Sequence, residues 1–296
     1  MRRSCIITGA TGYIGSHILK YLLSREWEIH IISDPKFGYK AIEDVMSQVD
    51  VYEYDGDISG LIEYFQKIDV DVVFHLAAAV ITNYKPEQVG TLIQSNIQFG
   101  TEVLEAMKFS NTRMLVTTGS YWQNYNSNTY NPVDLYAATK EAFEKIVQYY
   151  VDAYEFRHIN LRLFDVYGED DIRPKLWNIL KQIAGTEKTI DVSPGGQMLD
   201  MVHISDVCTA YEAAYELLVS SSSSNSTYGV MTGQQHSLKD IIDMYEKVLG
   251  KKLNVNFGAR MYKEREVMVP YLYYNVLPNW SAKVSIEDGL KSLSLS

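Results

Sequence analysis

Tyr136 and Lys140 are four residues apart in the stretch NPVDLYAATKEAFEKIV, residues 131–147. Pro132 and Asp134 are typical of a helix start, and the apolar residues after them keep a helical period, so the phenol and the ammonium share one helix face. A phenol titrates at about pH 10, and a nearby ammonium lowers that pKa, which suits proton transfer at a carbonyl oxygen. An isolated Tyr-x3-Lys match, however, is more often a solvated helix face.

A glycine-rich turn follows the first apolar run of the chain. The sequence TGATGYIGSH places Gly9, Gly12 and Gly15 between a predicted strand and a predicted helix. Glycines at these positions permit a tight turn, let the backbone approach a pyrophosphate and let the helix pack on the strand. Three glycines alone are a weak signal, but the strand before them and the helix after them indicate a dinucleotide-binding site.

Composition restricts the class of protein and of ligand. The 296 residues are 46% hydrophobic and 22% charged, which is typical of a soluble globular protein. The net charge of −10, with no basic run, disfavours nucleic acid and anionic membranes as partners. Cys5 and Cys208 cannot form a disulfide framework and have no neighbours at metal-ligand spacing, so no metal site is expected. Without a signal-peptide core or an apolar span, a cytoplasmic protein is expected.

Short apolar runs alternate with helix-period segments up to residue 165. This alternation predicts an α/β fold, a doubly wound parallel sheet of the Rossmann type with six or seven strands. The predicted strands are 4–8, 28–33, 49–55, 70–78, 113–119 and 158–164, and the predicted helices between them are 15–24, 59–67, 89–108 and 136–154. Later helices are predicted at 173–184, 206–220 and 237–249, a strand at 253–257 and an exposed loop at the serine run 220–224. The predicted domains are 1–165 plus 201–229 for the sheet, and 166–200 plus 230–296 for a smaller C-terminal lobe.

The chain resembles the extended short-chain dehydrogenase/reductase family, which contains nucleotide-sugar epimerases, dehydratases and ketoreductases. The resemblance covers nearly the whole chain and rests on ordered segments: GATGYIG, VFHLAAAV, YAATK, LRLFDVYGE and MVHISDVCTAY. It implies that Tyr136 and Lys140 are the catalytic pair and that Thr118 orients the substrate oxygen, with Ser120 as the fallback. It also implies that the C-terminal lobe binds a nucleotide sugar, and that two copies form a homodimer through segments 89–108 and 136–154.

The resemblance implies where the nicotinamide cofactor binds. The acidic residue that binds the adenosine ribose in NAD-dependent members falls on Ser33. Lys36 could pair with a 2′-phosphate, whereas Asp34 favours NAD, so the sequence favours NADP slightly and leaves NAD open. The implied cofactor-binding residues are Gly9, Thr11, Gly12, Tyr13, Ile14 and Gly15 in the glycine turn, Ser33, Asp34 and Lys36 after the second strand, Asp57 and Ile58 at the adenine, Leu76, Ala77 and Ala78 after the fourth strand, and Tyr136 and Lys140.

The residues around the predicted site favour one branch of the family. Dehydratases carry Asp-Glu directly after the strand-end threonine, where this chain has Gly119 and Ser120, so dehydration is disfavoured. The segment NFGARMYKEREVMVP, residues 256–270, resembles one in CDP-abequose and CDP-paratose synthases, although a charged surface loop is the alternative interpretation. The arginines expected there and in the MLDMVHISD segment fall on Lys263 and Leu199. The implied substrate-binding residues are Ser120, Asn96, Asp165 (in place of an asparagine), Lys263 and Arg265.

The leading functional prediction is an enzyme that uses NAD(P)H to reduce the 4-keto group of a CDP- or dTDP-linked 4-keto-6-deoxyhexose. In the resembling enzymes this reaction makes dideoxyhexoses for bacterial surface polysaccharide such as lipopolysaccharide. A 4-epimerase that retains NAD is the first alternative. A regulatory protein that binds cofactor without turnover is the second, and the presence of both Tyr136 and Lys140 disfavours it.

Overall fold

Seven parallel strands form the central sheet of the computed structural model, which describes residues 3–173, 175–221 and 225–295. In chain order the strands are β1 (Ser4–Thr8), β2 (Glu28–Ser33), β3 (Asp50–Glu53), β4 (Val72–His75), β5 (Met114–Ser120), β6 (Arg157–Leu163), β7 (Asp165–Tyr167), β8 (Ile190–Val192), β9 (Met198–Leu199), β10 (Met201–His203), β11 (Asn225–Val230), β12 (His236–Ser237) and β13 (Val255–Phe257). The central sheet has the order β11-β6-β5-β4-β1-β2-β3. The predicted doubly wound α/β sheet is confirmed.

Helices cover both faces of this sheet. They are α1 (Tyr13–Ser24), α2 (Ile58–Lys67), α3 (Val89–Ile93), α4 (Phe99–Lys108), α5 (Leu135–Tyr154), α6 (Leu176–Ile183), α7 (Ile204–Ser220), α8 (Leu238–Leu249) and α9 (Ile286–Leu295). Apolar side chains of α1 and α7 pack on one face, and those of α2, α4 and α5 pack on the other. None of the helices in the described ranges has both the length and the apolar character that a membrane crossing requires.

Several element bounds in the structure differ from those predicted from the sequence. The helix predicted at 89–108 contains a π-helical turn, Gln94–Gln98, between α3 and α4. The strand predicted at 70–78 ends at His75, because the next residues leave the sheet to meet the glycine turn. Of the predicted serine loop, Ser220 still belongs to α7, and residues 222–224 lie outside the described residues.

A third hydrophobic cluster lies away from the central sheet. Trp177 of α6, Ile241 of α8 and Leu290 of α9 are buried within it. Two short strand pairs, β8 with β13 and β9 with β12, belong to the same part of the chain. The division into a sheet domain and a C-terminal lobe at the residues given above stays a prediction.

The chain beyond residue 270 is fastened to α7. The buried Asp206 carboxylate accepts hydrogen bonds from the backbone nitrogens of Lys283 and Val284, each at 3.0 Å. One turn further along α7, the Thr209 hydroxyl accepts the Trp280 indole N–H, also at 3.0 Å. These contacts join the last helix of the chain to a helix that covers the central sheet.

Candidate active site

The glycine turn between β1 and α1 has no room for side chains. Gly9 has a φ of +75°, and a Cβ there would lie 2.6 Å from the amide nitrogen of Ala77. A Cβ on Gly15 would lie 2.1 Å from the Gly9 carbonyl oxygen. Gly12 is the N-cap of α1; among the described residues no side chain caps this helix, and its first turn holds no acidic residue. The leading N–H groups of α1 are therefore open to an anion, which fits the pyrophosphate of a dinucleotide.

The other residues of the turn surround these glycines. Thr11, Tyr13 and Ile14 are half-buried. The Arg173 guanidinium lies 4.3 Å from the centre of the Tyr13 ring. Sequence analysis did not single out Arg173, because 160 residues separate it from Tyr13 and only the fold brings them together.

The end of β2 joins Asp34 to Lys36. Ser33 is buried, and the Asp34 carboxylate accepts a hydrogen bond from the Lys36 backbone nitrogen at 3.0 Å. The Lys36 ammonium also forms an ion pair with the Asp34 carboxylate. The cation that was predicted to meet a 2′-phosphate is thus partly neutralised by its neighbour.

Five further predicted cofactor residues lie at the start of α2 and in the loop that follows β4. Asp57 caps α2 by accepting the Ser59 N–H at 3.0 Å, and Ile58 beside it is 36% exposed. The Leu76 backbone nitrogen donates to the carbonyl oxygen of Thr8, which holds the loop after β4 against β1. Leu76, Ala77 and Ala78 in this loop are half-buried.

Helix α5 carries the predicted catalytic pair. The helix begins where the Asp134 carboxylate accepts the Ala137 N–H at 2.8 Å, as its sequence predicts. Tyr136 is 9% exposed and Lys140 is 6% exposed, so neither belongs to a solvated helix face. Burial lowers the pKa of Lys140 to about 8.

The pKa of Tyr136 moves in the opposite direction to the one expected from its sequence. Burial raises it above the ordinary value for a phenol, and the Asp134 carboxylate raises it further. The expected lowering considered only the charge of Lys140, whereas loss of hydration disfavours the phenolate more strongly. Tyr136 is therefore a neutral phenol, the form that a proton donor requires.

Thr118 lies near the end of β5 with its hydroxyl bonded to two groups. Its Oγ1 lies 2.5 Å from the Tyr211 hydroxyl of α7 and donates to the His75 carbonyl oxygen at 3.2 Å. Ser120, the predicted fallback, uses its hydroxyl to accept the Trp122 N–H at 3.2 Å. At this end of β5 the Ser120 hydroxyl caps a turn, whereas the Thr118 hydroxyl does not. The sequence showed Tyr211 only as part of an amphipathic helix.

Asn96 lies in the π-helical turn and is 2% exposed. Its amide oxygen accepts the Ala79 N–H at 2.7 Å, and its amide nitrogen donates to the Thr139 hydroxyl at 2.9 Å. Thr139 directly precedes Lys140, so Asn96 joins the loop after β4 to α5. The buried Asn96 side chain is thus bonded to Ala79 and Thr139, and its role at a substrate stays a prediction.

A buried charge network connects the end of β5 with α5 and β6. The Arg162 guanidinium lies 3.2 Å from the Glu141 carboxylate and 2.9 Å from the Glu144 carboxylate. The Gln123 side chain donates to the same two carboxylates at 2.8 and 3.0 Å and accepts the Ser120 N–H at 2.9 Å. This network joins the end of β5 to α5. It was not evident from the sequence.

Gly119, between Thr118 and Ser120, is enclosed by side-chain amides. A Cβ on Gly119 would lie 2.7 Å from the Asn160 amide oxygen and 3.0 Å from that of Gln123. The site therefore has no space for an acidic side chain directly after Thr118.

Three of the predicted substrate residues, Asp165, Lys263 and Arg265, contact side chains of the segment that follows β5. Burial raises the pKa of Asp165, whose carboxylate accepts the Tyr121 hydroxyl at 2.9 Å. The Lys263 ammonium lies 5.9 Å from the centre of the Trp122 ring. Arg265 donates to the Asn131 side-chain oxygen at 2.6 Å and covers the ring of Tyr125 at 4.5 Å. The fold thus brings Lys263 and Arg265 onto the segment that leads into α5.

Within the ranges that the structure describes, no three His, Cys, Asp or Glu side chains are grouped as ligands of a metal ion would be. Cys5 and Cys208 are free and buried. Burial raises the pKa of both thiols, which leaves them protonated and unreactive at neutral pH.

Comparisons with known proteins agree with this architecture. A CDP-abequose synthase from Yersinia pseudotuberculosis is 26% identical over 291 residues, which cover 97% of this chain and 98% of that protein. A UDP-glucose 4-epimerase from Halalkalibacterium halodurans is 25% identical over 283 residues, 86% of this chain and 83% of that protein.

A solved UDP-glucose 4-epimerase from Stenotrophomonas maltophila, with bound NAD and formylated UDP-arabinopyranose, superposes with a TM-score of 0.86. The two chains share 19% identity, and the match covers 99% of this chain and 97% of that one. The model of the NAD dependent epimerase/dehydratase family matches residues 5–230, from β1 to the end of β11. With the glycine turn and the Tyr136–Lys140 helix inside that range, the chain belongs to this family.

Proposed function

We propose that this protein uses NAD(P)H to reduce the 4-keto group of a nucleotide-linked 4-keto-6-deoxyhexose, with CDP or dTDP as the nucleotide. The observation that carries this choice of reaction is the likeness to CDP-abequose synthase along 97% of the chain. The buried Tyr136–Lys140 pair supports it, since a merely cofactor-binding relative has no need of either residue. The product would serve as a deoxysugar precursor of surface polysaccharide.

The residues of the site have separate tasks in this proposal. When bound, the nicotinamide cofactor supplies the hydride that the carbonyl carbon receives. Tyr136 holds the proton for the carbonyl oxygen, since burial keeps its phenol neutral. As that proton leaves, the Lys140 ammonium on the same helix face stabilises the phenolate. The Thr118 hydroxyl orients the same oxygen.

The space around Gly119 supports reduction over dehydration. Water elimination from the sugar needs an acid and a base beyond the phenol. An aspartate at position 119 would displace the Asn160 and Gln123 amides, which the buried network holds in place. A carbonyl in this site would therefore gain hydride and proton without loss of water.

Lys263 and Arg265 are the proposed partners of the nucleotide diphosphate. Both lie over aromatic rings of the loop after β5, 5.9 Å from Trp122 and 4.5 Å from Tyr125. In a chain with a net charge of −10, a dianion needs such a local pair of cations. Asp165, which accepts the Tyr121 hydroxyl at 2.9 Å, is proposed as a further substrate contact.

An ion pair after β2 supports the proposed cofactor, and exposed apolar side chains support the proposed oligomeric state. NADPH remains the proposed reductant, with NADH second, because the Asp34–Lys36 ion pair offers groups for either cofactor. A homodimer through α3, α4 and α5 is also proposed. Ile93 of α3 is 40% exposed and Tyr149 of α5 is 55% exposed, so these helices present apolar surface to a partner.

A nucleotide-sugar 4-epimerase is the second candidate. The UDP-glucose 4-epimerase relative, 25% identical over 86% of this chain, favours it. The same three side chains would act, with Tyr136 as the phenolate first accepting the proton of a 4-hydroxyl and then returning it. The difference is that an epimerase keeps its cofactor, whereas a reductase must exchange it after each turnover.

The test is consumption of reduced cofactor by the purified protein. We expect absorbance at about 340 nm to fall, with one NADPH or NADH used per sugar, when CDP- or dTDP-4-keto-6-deoxyglucose is added. Tyr136→Phe is the matched control: it should bind cofactor as before while turnover falls by roughly 10²- to 10⁴-fold.

Two results would contradict the proposal. Interconversion of UDP-glucose and UDP-galactose without net cofactor use would identify the epimerase instead. Equal turnover by the Tyr136→Phe variant would remove the phenol from its assigned role.

A further inference from the structure

The Thr118 hydroxyl lies between a strong and a weak hydrogen-bond partner. The distance from Thr118 Oγ1 to the Tyr211 hydroxyl is 2.5 Å, and that to the His75 carbonyl oxygen is 3.2 Å. A hydroxyl has one proton to donate and can accept two hydrogen bonds. Either hydroxyl could be the donor in the shorter bond. In the arrangement in which Thr118 donates its only proton to the His75 carbonyl oxygen, Tyr211 donates to Thr118.

Tyr211 is held firmly in this arrangement. It is 0% exposed, and its ring packs edge-on against Phe74 of β4 at 5.9 Å. Burial raises the pKa of Tyr211, which keeps its phenol protonated and able to donate. Thr118 is only half-buried, so the site can be reached from the side of Thr118 and not from that of Tyr211.

We infer that Tyr211 is a positioning residue that directs the Thr118 proton toward the substrate oxygen. In the arrangement in which Tyr211 donates, its hydroxyl occupies one acceptor position of Thr118 Oγ1, and the Thr118 proton points away from α7. The long bond to His75 is the weaker of the two and is the one exchanged when a carbonyl oxygen arrives. This inference rests on the proposed function, in which Thr118 contacts that oxygen.

Tyr211→Phe removes the donor and keeps the ring. We expect kcat to fall roughly tenfold, the loss that corresponds to one oriented hydrogen bond. The KM for the nucleotide sugar and the Kd for cofactor should stay within about twofold, because Tyr211 has no exposed surface for a ligand to contact. Tyr215→Phe is the matched control: it lies one turn along α7, packed on Trp27 at 4.8 Å, and should leave kcat unchanged.

The Thr118→Val background separates positioning from general packing. If Tyr211 acts through Thr118, adding Tyr211→Phe to Thr118→Val should cause no further loss of kcat. The inference would be overturned if Tyr211→Phe lowered kcat as much in the Thr118→Val background as in the wild type. A Tyr211→Phe variant with wild-type kcat would overturn it as well.

A wild-type protein that turns over no nucleotide sugar would remove the proposed function by itself. The hydroxyl pair would then be judged by a double-mutant cycle in urea unfolding with the same three variants. Non-additive losses would support the hydrogen bond from Tyr211 to Thr118, and additive losses would overturn it.

Discussion

Burial of Lys140 in α5 lowers the stability of the folded protein. Its side chain is almost fully buried, and burial lowers its pKa to about 8. A lysine in an unfolded chain titrates at about 10.4. The unfolded chain therefore binds this proton more tightly than the folded chain does, so the ammonium opposes folding at neutral pH. A buried, destabilising cation on the same helix face as a buried tyrosine is what a site formed for chemistry, rather than for stability, is expected to contain.

Lys140→Met is expected to increase the free energy of unfolding while it abolishes turnover. From pKa values of 10.5 and about 8, the increase is about 3 kcal/mol at pH 7. Because the folded pKa is the lower one, the full increase is present below about pH 8 and disappears as the pH rises to about 10.5. Urea unfolding of both proteins across this range measures it.

Lys67→Met in α2 is the control for this pH dependence. The Lys67 side chain is 72% exposed, so its removal should change stability equally at every pH in the range. A difference between wild type and Lys140→Met that is constant with pH would contradict the buried-charge explanation.

At the scale of elements, α5, β5 and β6 are fixed to one another by charge as well as by packing. Arg162 of β6 lies between Glu141 and Glu144 of α5, and Gln123 joins the same carboxylates to the end of β5. Arg162 is 7% exposed and Glu141 is 8% exposed, so each carboxylate depends on these partners. The spacing between Thr118 and the Tyr136 helix therefore depends on this network.

Arg162→Met is expected to lower the free energy of unfolding by about 3–5 kcal/mol, because two buried carboxylates lose their cation. Chemical denaturation measures the loss. Replacing Glu141 and Glu144 by glutamine in the same variant should recover most of it, since no uncompensated charge then remains. A triple variant as unstable as Arg162→Met alone would contradict this account.

Sequence predicted those elements and residues whose signal is local. The glycine turn, the capping of α5 by Asp134 and the Tyr136–Lys140 spacing each lie within one short stretch, and the parallel sheet follows from strand–helix alternation. Its seventh strand, β11, lies beyond that alternation and is not among the predicted strands. The partners of Thr118 could not be predicted in this way. Tyr211 lies 93 residues further along the chain, and nothing near it in sequence marks its hydroxyl as different from those around it.

The predicted lowering of the Tyr136 pKa is wrong for a related reason. A sequence shows which charges are neighbours, but the loss of hydration depends on how much of the side chain the fold covers. The network around Gln123 escaped prediction because it needs side chains from β6, α5 and the turn after β5 at once.

At the scale of the whole molecule, the C-terminal segment closes back on the sheet. The Asp206 carboxylate of α7 receives two backbone N–H groups from residues 283 and 284, and Trp280 bonds to Thr209 on the same helix. The part of the chain that carries Lys263 and Arg265 is thus anchored to α7 at its C-terminal end, and β13 at its other end pairs with β8.

Asp206→Ala is expected to loosen this anchor by leaving two backbone donors without their acceptor. The loss should be about 0.5–1.5 kcal/mol for each hydrogen bond removed, seen as a lower Tm. Limited proteolysis should then cut the chain after about residue 270 before the central sheet. Asp288→Ala in α9, an exposed carboxylate, is the control and should leave the cleavage pattern unchanged. An Asp206→Ala protein as protease-resistant as the wild type would contradict the anchoring role.

Helix α9 also determines when the third hydrophobic cluster, formed with α6 and α8, can close during synthesis of the protein. Ile286, Leu290 and Leu293 complete the cluster that α6 and α8 begin more than 35 residues earlier. Until residue 293 has left the ribosome, the apolar sides of α6 and α8 are uncovered in the nascent chain, although the strands of the central sheet have already emerged. This cluster of α6, α8 and α9 therefore closes later than the central sheet can form, and until it closes, chaperones have an apolar surface to bind.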